Sequence, residues 1–314
     1  MSITTSRAGL RSSRAQALSR KILKHWQLYL LVLPALCYLI LFKYVPMYGT
    51  IIAFKDYKIA LSIWESPWVG LKHFRTFFTS YQFGRLLINT LGLSLYSIAA
   101  GVFPPILLAL GLNYCKNKVF GKTVQMVTYM PYFISTVLVV GLLSQMLSLT
   151  GPVNLLIKAL GGTPVHFFGS PALFKTLYVF SGLWSATGYN AVIYLAALAA
   201  ISPELYEAAI VDGASVFKRI LHIDLPSLAP TAIILLIMAC GRVLNIGYEK
   251  VLLMQNDLNI AASDIISTYV YRIGLISRQY SYSTAIGLFQ SAVSLVLLAI
   301  VNALARRLGE TSLW

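Results

Sequence analysis

Six long stretches of this 314-residue chain contain no Asp, Glu, Lys or Arg. A helix needs about 20 apolar residues to cross the hydrocarbon core of a membrane, and only helices or closed barrels satisfy their backbone polar groups there. With the shortest stretches extended into flanking residues, the pattern predicts an all-α integral membrane protein with six transmembrane helices. The predicted spans cover approximately residues 26–45, 86–112, 123–147, 176–201, 225–246 and 281–305.

The charged residues are few and are gathered between these stretches. They make up 11% of the chain, against about a quarter in a soluble domain. The net charge of +15 is concentrated at segment ends and in the N-terminal arm, which is typical of membrane topology and argues against a nucleic-acid partner. Cys37, Cys115 and Cys240 lie in or beside apolar stretches without a CxxC pair, so we expect neither a disulfide framework nor a metal site.

The positions of Lys and Arg predict which segments face the cytoplasm. Residues 1–25 carry six basic residues and no acid, and three lysines follow the second span between positions 116 and 122. We therefore predict a basic cytoplasmic arm over 1–25, a transmembrane domain over 26–314, and both termini in the cytoplasm. The basic arm and the apolar stretch after it together resemble a secretory signal peptide, but no small-x-small cleavage site follows, so we interpret the apolar stretch as an uncleaved first span.

Residues 202–224, called the 202–224 loop below, interrupt the apolar pattern between the fourth and fifth spans. They hold four of the chain's ten acidic residues. Ser202-Pro203 is typical of a helix start, and Asp212-Gly213 predicts its end because Gly accepts a positive φ. We expect a second short helix after Ser215 and a new helix, the fifth span, opened by Leu225-Pro226. On the predicted topology this loop is cytoplasmic.

The loop also carries a spaced motif. Glu207-Ala208-Ala209 is followed after three residues by Gly213, after nine more by Ile223, and after one more by Leu225-Pro226. This is the EAA signature, and the chain resembles the membrane-spanning permease subunits of ATP-binding-cassette importers. The segment YVPMYGTIIAFKDYKIALSIWESPWVGLKHFRTFF is similar to the first outer loop of sugar-importer permeases, in particular those serving oligosaccharides and polysaccharides such as alginate. The resemblance implies the type I importer permease fold and the bacterial cytoplasmic (inner) membrane.

The resemblance further implies that the 202–224 loop docks on a separate cytoplasmic ATPase. The coupling residues that it implies are Glu207, Ala208, Ala209, Asp212, Gly213, Ile223, Leu225 and Pro226. The implied partners are a second homologous permease, two copies of the ATPase, an extracytoplasmic solute-binding protein and membrane lipid. We expect ATP and Mg²⁺ on the ATPase, no cofactor on this chain and no enzymatic activity of its own. Gly121-Lys122-Thr123 resembles the end of a phosphate-binding loop, but Lys116 stands where that loop requires glycine.

A route for sugar needs hydrogen-bonding groups together with aromatic faces. Asn190 and Tyr194 share a helix face at i, i+4 spacing, and Arg242 suits an anionic sugar because a cation in the membrane requires a partner or water. The predicted pathway residues are Trp184, Tyr189, Asn190, Tyr194, Arg242, Asn245 and Gln290. Each has a structural alternative: Trp and Tyr form interfacial belts, Asn and Gln hydrogen-bond between helices, and Arg extends to the interface.

These features predict the permease subunit of an ATP-driven importer for a sugar, in particular an oligo- or polysaccharide. One alternative is an EAA-type permease for a peptide or an amino acid, which the motif alone does not separate from a sugar permease. The other is a secondary carrier or channel. The six apolar stretches hold no Asp or Glu, whereas carriers coupled to protons or sodium commonly keep an acid inside the membrane.

Overall fold

Helices form the regular structure of the part of the chain that is described, and an isolated antiparallel bridge joins Lys55 to Trp68 in the loop after the first helix. This structure, a computed structural model, describes residues 25–307, so the predicted arm over 1–25 lies, except for His25, outside the described residues. The helices are α1 (Trp26–Phe54), α2 (Lys72–Phe78), α3 (Phe83–Asn113), α4 (Lys118–Tyr129), α5 (Thr136–Met146), α6 (Pro152–Ala159), α7 (Pro171–Ala199), α8 (Pro203–Val211), α9 (Val216–Cys240), α10 (Tyr248–Met254), α11 (Ile260–Ser263), α12 (Ile266–Tyr271) and α13 (Tyr280–Arg307).

Four of the described helices, α1, α3, α9 and α13, are each long and apolar enough to cross a membrane. The number rises to six if each of two bent helix pairs is one span: α4 with α5, which meet at 99°, and α7 with α8, which meet at 72°. The third span that we predicted as one helix over 123–147 is therefore broken. Its break follows a 3₁₀ turn over Met130–Phe133, and Ser135 caps the new helix by accepting from the Leu138 N–H.

The first helix is longer than predicted and stands apart from the bundle. It continues beyond the expected end at residue 45, through a π-helical turn at Ile40–Tyr44, as far as Phe54. No residue of its most apolar 18-residue window is buried. Only its final turns, Tyr48–Phe54, pack extensively against another helix, which is α13. Its apolar surface therefore faces lipid or another subunit, because water would not be a stable environment for it.

Helix α3 connects three hydrophobic clusters along the length of the bundle. Leu86 belongs to a cluster with α13, Leu93 to a cluster with α7 and α10, and Leu110 to a cluster with the ends of α7 and α9. The last cluster lies next to the 202–224 loop. We call this end of the bundle the loop end. Helix α9 begins at the loop end, so the segment over 241–279 and the start of α13 lie at the opposite end.

At the opposite end, the segment after α9 is held by a buried ion pair. Asp264 is fully buried, and its Oδ2 lies 2.7 Å from Arg272 Nη2 and 3.8 Å from Arg85 Nη2. Thr268 donates to its other carboxylate oxygen at 3.1 Å. A buried carboxylate is stable only when charge and hydrogen bonds compensate it. This acid therefore fixes the segment onto α3, which carries Arg85.

Replacing Gly188 by Ala is expected to destabilise the protein by about 1–3 kcal/mol through overpacking. Helices α7 and α4 touch at this glycine, and a methyl group there would lie 2.1 Å from the Thr128 carbonyl oxygen. Gly287→Ala in α13 is the control, because nothing lies within 4 Å of that position. Thermal unfolding in detergent should show a lower midpoint for Gly188→Ala alone, and equal midpoints would contradict the close contact.

Candidate functional site

The first helix of the 202–224 loop begins and ends where the sequence predicts. Pro203 is its first residue, and Ser202 occupies the N-cap position, although its side chain makes no capping hydrogen bond. After Val211 the chain reverses through Gly213, whose φ is +71°. The Ala214 N–H donates to the Ala209 carbonyl at 2.8 Å, which is the 6→1 hydrogen bond of a Schellman motif, the usual ending of a helix at glycine.

The second helix of the loop differs from the prediction because it does not stop before Pro226. Ser215 caps it by accepting from the Lys218 N–H at 3.4 Å, and it then runs without a break from Val216 to Cys240 as α9. A π-helical turn over Ile220–Asp224 directly precedes the proline segment. A π turn changes the hydrogen-bond register locally, so the helix continues although Pro226 has no N–H to donate.

The loop presents an apolar surface at its end of the bundle. Val211 is 86% exposed and Phe217 is 73% exposed, and Leu205 and Ile210 are exposed beside them. Of the predicted coupling residues, the exposed ones are Glu207, Ala208, Asp212, Gly213, Leu225 and Pro226, while Ala209 and Ile223 are half-buried. An exposed apolar patch rimmed by charge marks a surface for another molecule. The role of the predicted coupling residues in docking stays a prediction.

A buried acid lies directly beneath this surface. Asp224 is fully buried and accepts hydrogen bonds from the Tyr114 hydroxyl, at 2.8 Å, and from the Tyr206 hydroxyl. The Arg219 guanidinium lies 5.7 Å from the centre of the Tyr114 ring. We call these four residues the Asp224 junction. Burial, together with the hydrogen bond to Asp224, raises the pKa of the Tyr114 hydroxyl, which therefore stays a donor at neutral pH.

Sequence reasoning missed the Asp224 junction. It treated Asp224 only as one of the loop's acids, lying between the motif residues Ile223 and Leu225. The available signal was an acid inside an otherwise apolar run, because such an acid needs specific hydrogen-bond donors if it is buried. The two tyrosines lie 110 and 18 residues away along the chain, so no spacing rule could identify them.

A cavity of about 670 Å³ opens between α3, α7 and α9, and we call it the three-helix cavity. Its polar wall includes Ser94 and Ser97 of α3. Of the predicted pathway residues, four line it: Asn190, Tyr194, Arg242 and Asn245. The i, i+4 pair of α7 therefore does share one wall of a single space. Asn245 also donates to Ser294 Oγ at 3.2 Å, which ties this wall to α13.

The other three predicted pathway residues lie away from the cavity wall. Gln290 is buried between helices and donates to the Leu244 carbonyl at 2.7 Å and to Ser267 Oγ at 3.1 Å. Tyr189 stacks on Tyr132, with ring centres 3.9 Å apart, and Trp184 is exposed on α7. These are the interhelical and surface positions that we named as structural alternatives, and contact of these residues with substrate stays a prediction.

Among the described residues that line the three-helix cavity, Arg242 is the one that carries a charge. The rest of its described wall is polar or apolar without charge. Within residues 25–307, the Arg242 guanidinium has no hydrogen bond and no ion pair. The Arg242 side chain is exposed in the open wall of the cavity and has no carboxylate of the described residues beside it, so its guanidinium is free to pair with an anionic group of a solute.

Comparison with known proteins gives consistent matches. Residues 101–310 match the family described as binding-protein-dependent transport system inner membrane component. The chain is 42% identical to protein LplB of Bacillus subtilis (strain 168) over 288 residues, which is 91% of each chain. It is 43% identical to the polygalacturonan/rhamnogalacturonan transport system permease protein YteP of the same strain over 295 residues, 94% of this chain and 92% of YteP.

The fold also matches that of solved structures. A chain in the crystal structure of a bacterial alginate ABC transporter, in complex with an alginate pentasaccharide-bound periplasmic protein, superposes with a TM-score of 0.86 at 39% identity. The match covers 94% of this chain and 99% of that one. The type I importer fold class predicted from the sequence is therefore confirmed.

Proposed function

Because the chain belongs to the family of binding-protein-dependent transport system inner membrane components, we propose that it is the permease subunit of an ATP-driven sugar importer. The solute is an oligo- or polysaccharide, and it crosses the bacterial cytoplasmic membrane. The names of the similar permeases support a sugar, since YteP serves polygalacturonan and rhamnogalacturonan and the similar structure serves alginate.

The observation that carries the proposal is the position of the EAA motif on the molecule. The motif lies on an exposed, partly apolar surface that has the size of one short helix and its turn. Two helices that pass this surface, α3 and α9, also line the three-helix cavity. An exposed surface that carries the motif and a solute-sized cavity thus share the same two helices, which supports an importer driven by a separate ATPase.

The proposal includes the partners and the topology. Two copies of a cytoplasmic ATPase bind ATP and Mg²⁺, and one of them docks on the 202–224 loop of this chain. A second homologous permease completes the route, and an extracytoplasmic solute-binding protein delivers the sugar. The 202–224 loop and both termini face the cytoplasm, while residues 43–85 and 247–278 face outside, in agreement with Lys116, Lys118 and Lys122 after α3.

Arg242 supports a sugar that carries carboxylate groups. It is a guanidinium without a counter-charge among the described residues, in the wall of the three-helix cavity. A guanidinium binds a carboxylate through two parallel hydrogen bonds, which are stronger than those to a neutral hydroxyl. The alginate of the similar transporter is itself described as an acidic polysaccharide.

The proposal is tested with the complex purified from its native membrane through a tag on this chain and placed in proteoliposomes. We expect uptake of saccharide that requires both ATP and the solute-binding protein. The panel includes alginate and polygalacturonate oligosaccharides, neutral oligosaccharides and peptides. ATPase stimulation by peptides but by no saccharide would establish the peptide alternative, and uptake by this chain alone without ATP would establish a secondary carrier.

A further inference from the structure

Helix α8 has few polar side chains that could bond it to the rest of the protein. Most of its residues are exposed, and its only polar side chains are Glu204, Tyr206 and Glu207. Within the described residues, its side-chain hydrogen bonds to the bundle all pass through the Tyr206 hydroxyl, which contacts Asp224 and Asn113. Among polar contacts, a force applied to α8 by a bound partner therefore reaches the bundle through Tyr206, in addition to the two chain connections and the packing of the half-buried Ala209.

Asp224 joins the Tyr206 side chain to two further helices. It belongs to α9 itself, and its other phenolic donor, Tyr114, follows the last residue of α3. The carboxylate is fully buried, so losing either donor leaves a charged oxygen without a partner. Each donor is held in place, because Asn113 contacts Tyr206 and Arg219 covers the Tyr114 ring. The three elements therefore cannot separate at this point without a large cost.

The two helices joined at Asp224 are cavity helices. Residues between Ser94 and Pro105 of α3 and between Ala232 and Ala239 of α9 line the three-helix cavity. Asp224 is also the last residue of the π-helical turn in α9. Such a turn marks a place where a helix can change its winding, and π turns occur frequently at functional sites. The junction thus lies between the docking surface and the cavity wall, at a point where α9 is irregular.

We infer that Asp224 is a positioning residue for transport: it carries movement of the 202–224 loop to α3 and α9, so that its loss separates ATP hydrolysis from sugar uptake. The inference rests on the proposed function. It goes beyond the motif, because neither Tyr114 nor Tyr206 belongs to the EAA signature and Asp224 occupies one of its unspecified positions. A junction that only stabilised the fold would lower the amount of assembled complex and leave the coupling ratio unchanged.

The decisive variant is Tyr206→Phe, because it removes one hydroxyl and keeps the ring. The measured quantity is saccharide taken up per ATP hydrolysed in proteoliposomes containing the whole complex. We expect a drop of about tenfold, since the lost bond is made to a charged group, with the ATPase rate and the yield of complex retained. Asp224→Asn should lower the ratio at least as far, and adding Tyr206→Phe to it should cause little further loss.

The matched control is Tyr81→Phe, which removes an exposed hydroxyl at the opposite end of the bundle and should leave the ratio unchanged. The inference fails if Tyr206→Phe keeps the wild-type ratio, or if it loses uptake and ATPase activity in equal proportion. If Asp224→Asn does not assemble, Tyr206→Phe and Tyr114→Phe decide the question. Absence of ATP-dependent uptake in the wild-type complex would instead contradict the proposed function, so the two failures are distinguishable.

Discussion

Replacing Arg242 by Gln is expected to lower the uptake efficiency for a carboxylate-bearing oligosaccharide by about ten- to hundredfold, the value of a charge-assisted hydrogen bond. Uptake of a neutral oligosaccharide should change little. The reason is that Arg242 is the charge in the described wall of the three-helix cavity, and no described carboxylate neutralises it. Glutamine keeps a hydrogen-bond donor and similar length, so the change removes mainly the charge and the two-pronged geometry.

The measurement is the initial rate of uptake against concentration for paired acidic and neutral oligosaccharides of equal length. Arg242→Lys should give an intermediate loss, since lysine restores the charge without the paired donors. Arg75→Gln, at an exposed position on α2, is the control and should leave the preference unchanged. Equal losses for acidic and neutral sugars would mean that Arg242 supports the cavity wall and does not select for carboxylates.

The helices of this protein could be predicted from the sequence wherever charge or turn chemistry marks their ends. Pro203 and Gly213 delimit α8 as expected, because each acts through its own backbone geometry. The break between α4 and α5 was missed inside a long apolar stretch. Pro131 and Ser135 were visible signals, but hydropathy alone counts apolar residues and does not register a change of direction.

The continuation of α9 across Pro226 shows a second limit. A proline after a polar loop is typical of a helix start, and here the same residue lies inside a helix that begins ten residues earlier. The π-helical turn that allows this is stabilised by packing and by the buried Asp224. Both depend on which helices are neighbours, so no local pattern could distinguish the two outcomes.

The candidate site divides in the same way. Asn190 and Tyr194 were predicted to share a face from their spacing, and both line the three-helix cavity. Gln290 was chosen because it is polar inside a span, yet its amide donates to the carbonyl of Leu244 in the turn after α9. A polar group in a membrane span needs a partner in either case, so polarity alone does not separate a pathway residue from an interhelical one.

Replacing Gly213 by Pro is expected to abolish co-purification of the ATPase and, with it, ATP-dependent uptake. Gly213 has a φ of +71°, and its N–H donates to the Ile210 carbonyl at 3.0 Å. Proline fixes φ near −65° and has no N–H, so the turn that ends α8 cannot form as it is. The predicted coupling residues on both sides of the turn would then be displaced relative to each other. The substitution lies outside the predicted membrane spans, whose residues are unchanged.

Gly161→Pro is a closely matched control for this experiment. Gly161 also has a positive φ, +83°, and its N–H also donates to a carbonyl three residues earlier, that of Lys158, at 3.0 Å. It follows α6 and precedes α7, so it lies at the opposite end of the bundle from the 202–224 loop. Both substitutions thus impose the same backbone strain, and neither glycine has an atom within 4 Å of an added Cβ.

The contrast between the two glycines separates docking from general damage. The ATPase, identified by its mass and its ATP hydrolysis, should co-purify with Gly161→Pro and not with Gly213→Pro. Glu207→Lys, which reverses an exposed charge on α8 without straining the backbone, should weaken the same association. If Gly213→Pro retained the ATPase at the wild-type ratio, the 202–224 loop could not be the docking surface. The apolar residues exposed there, from Leu205 to Phe217, would then need a different partner.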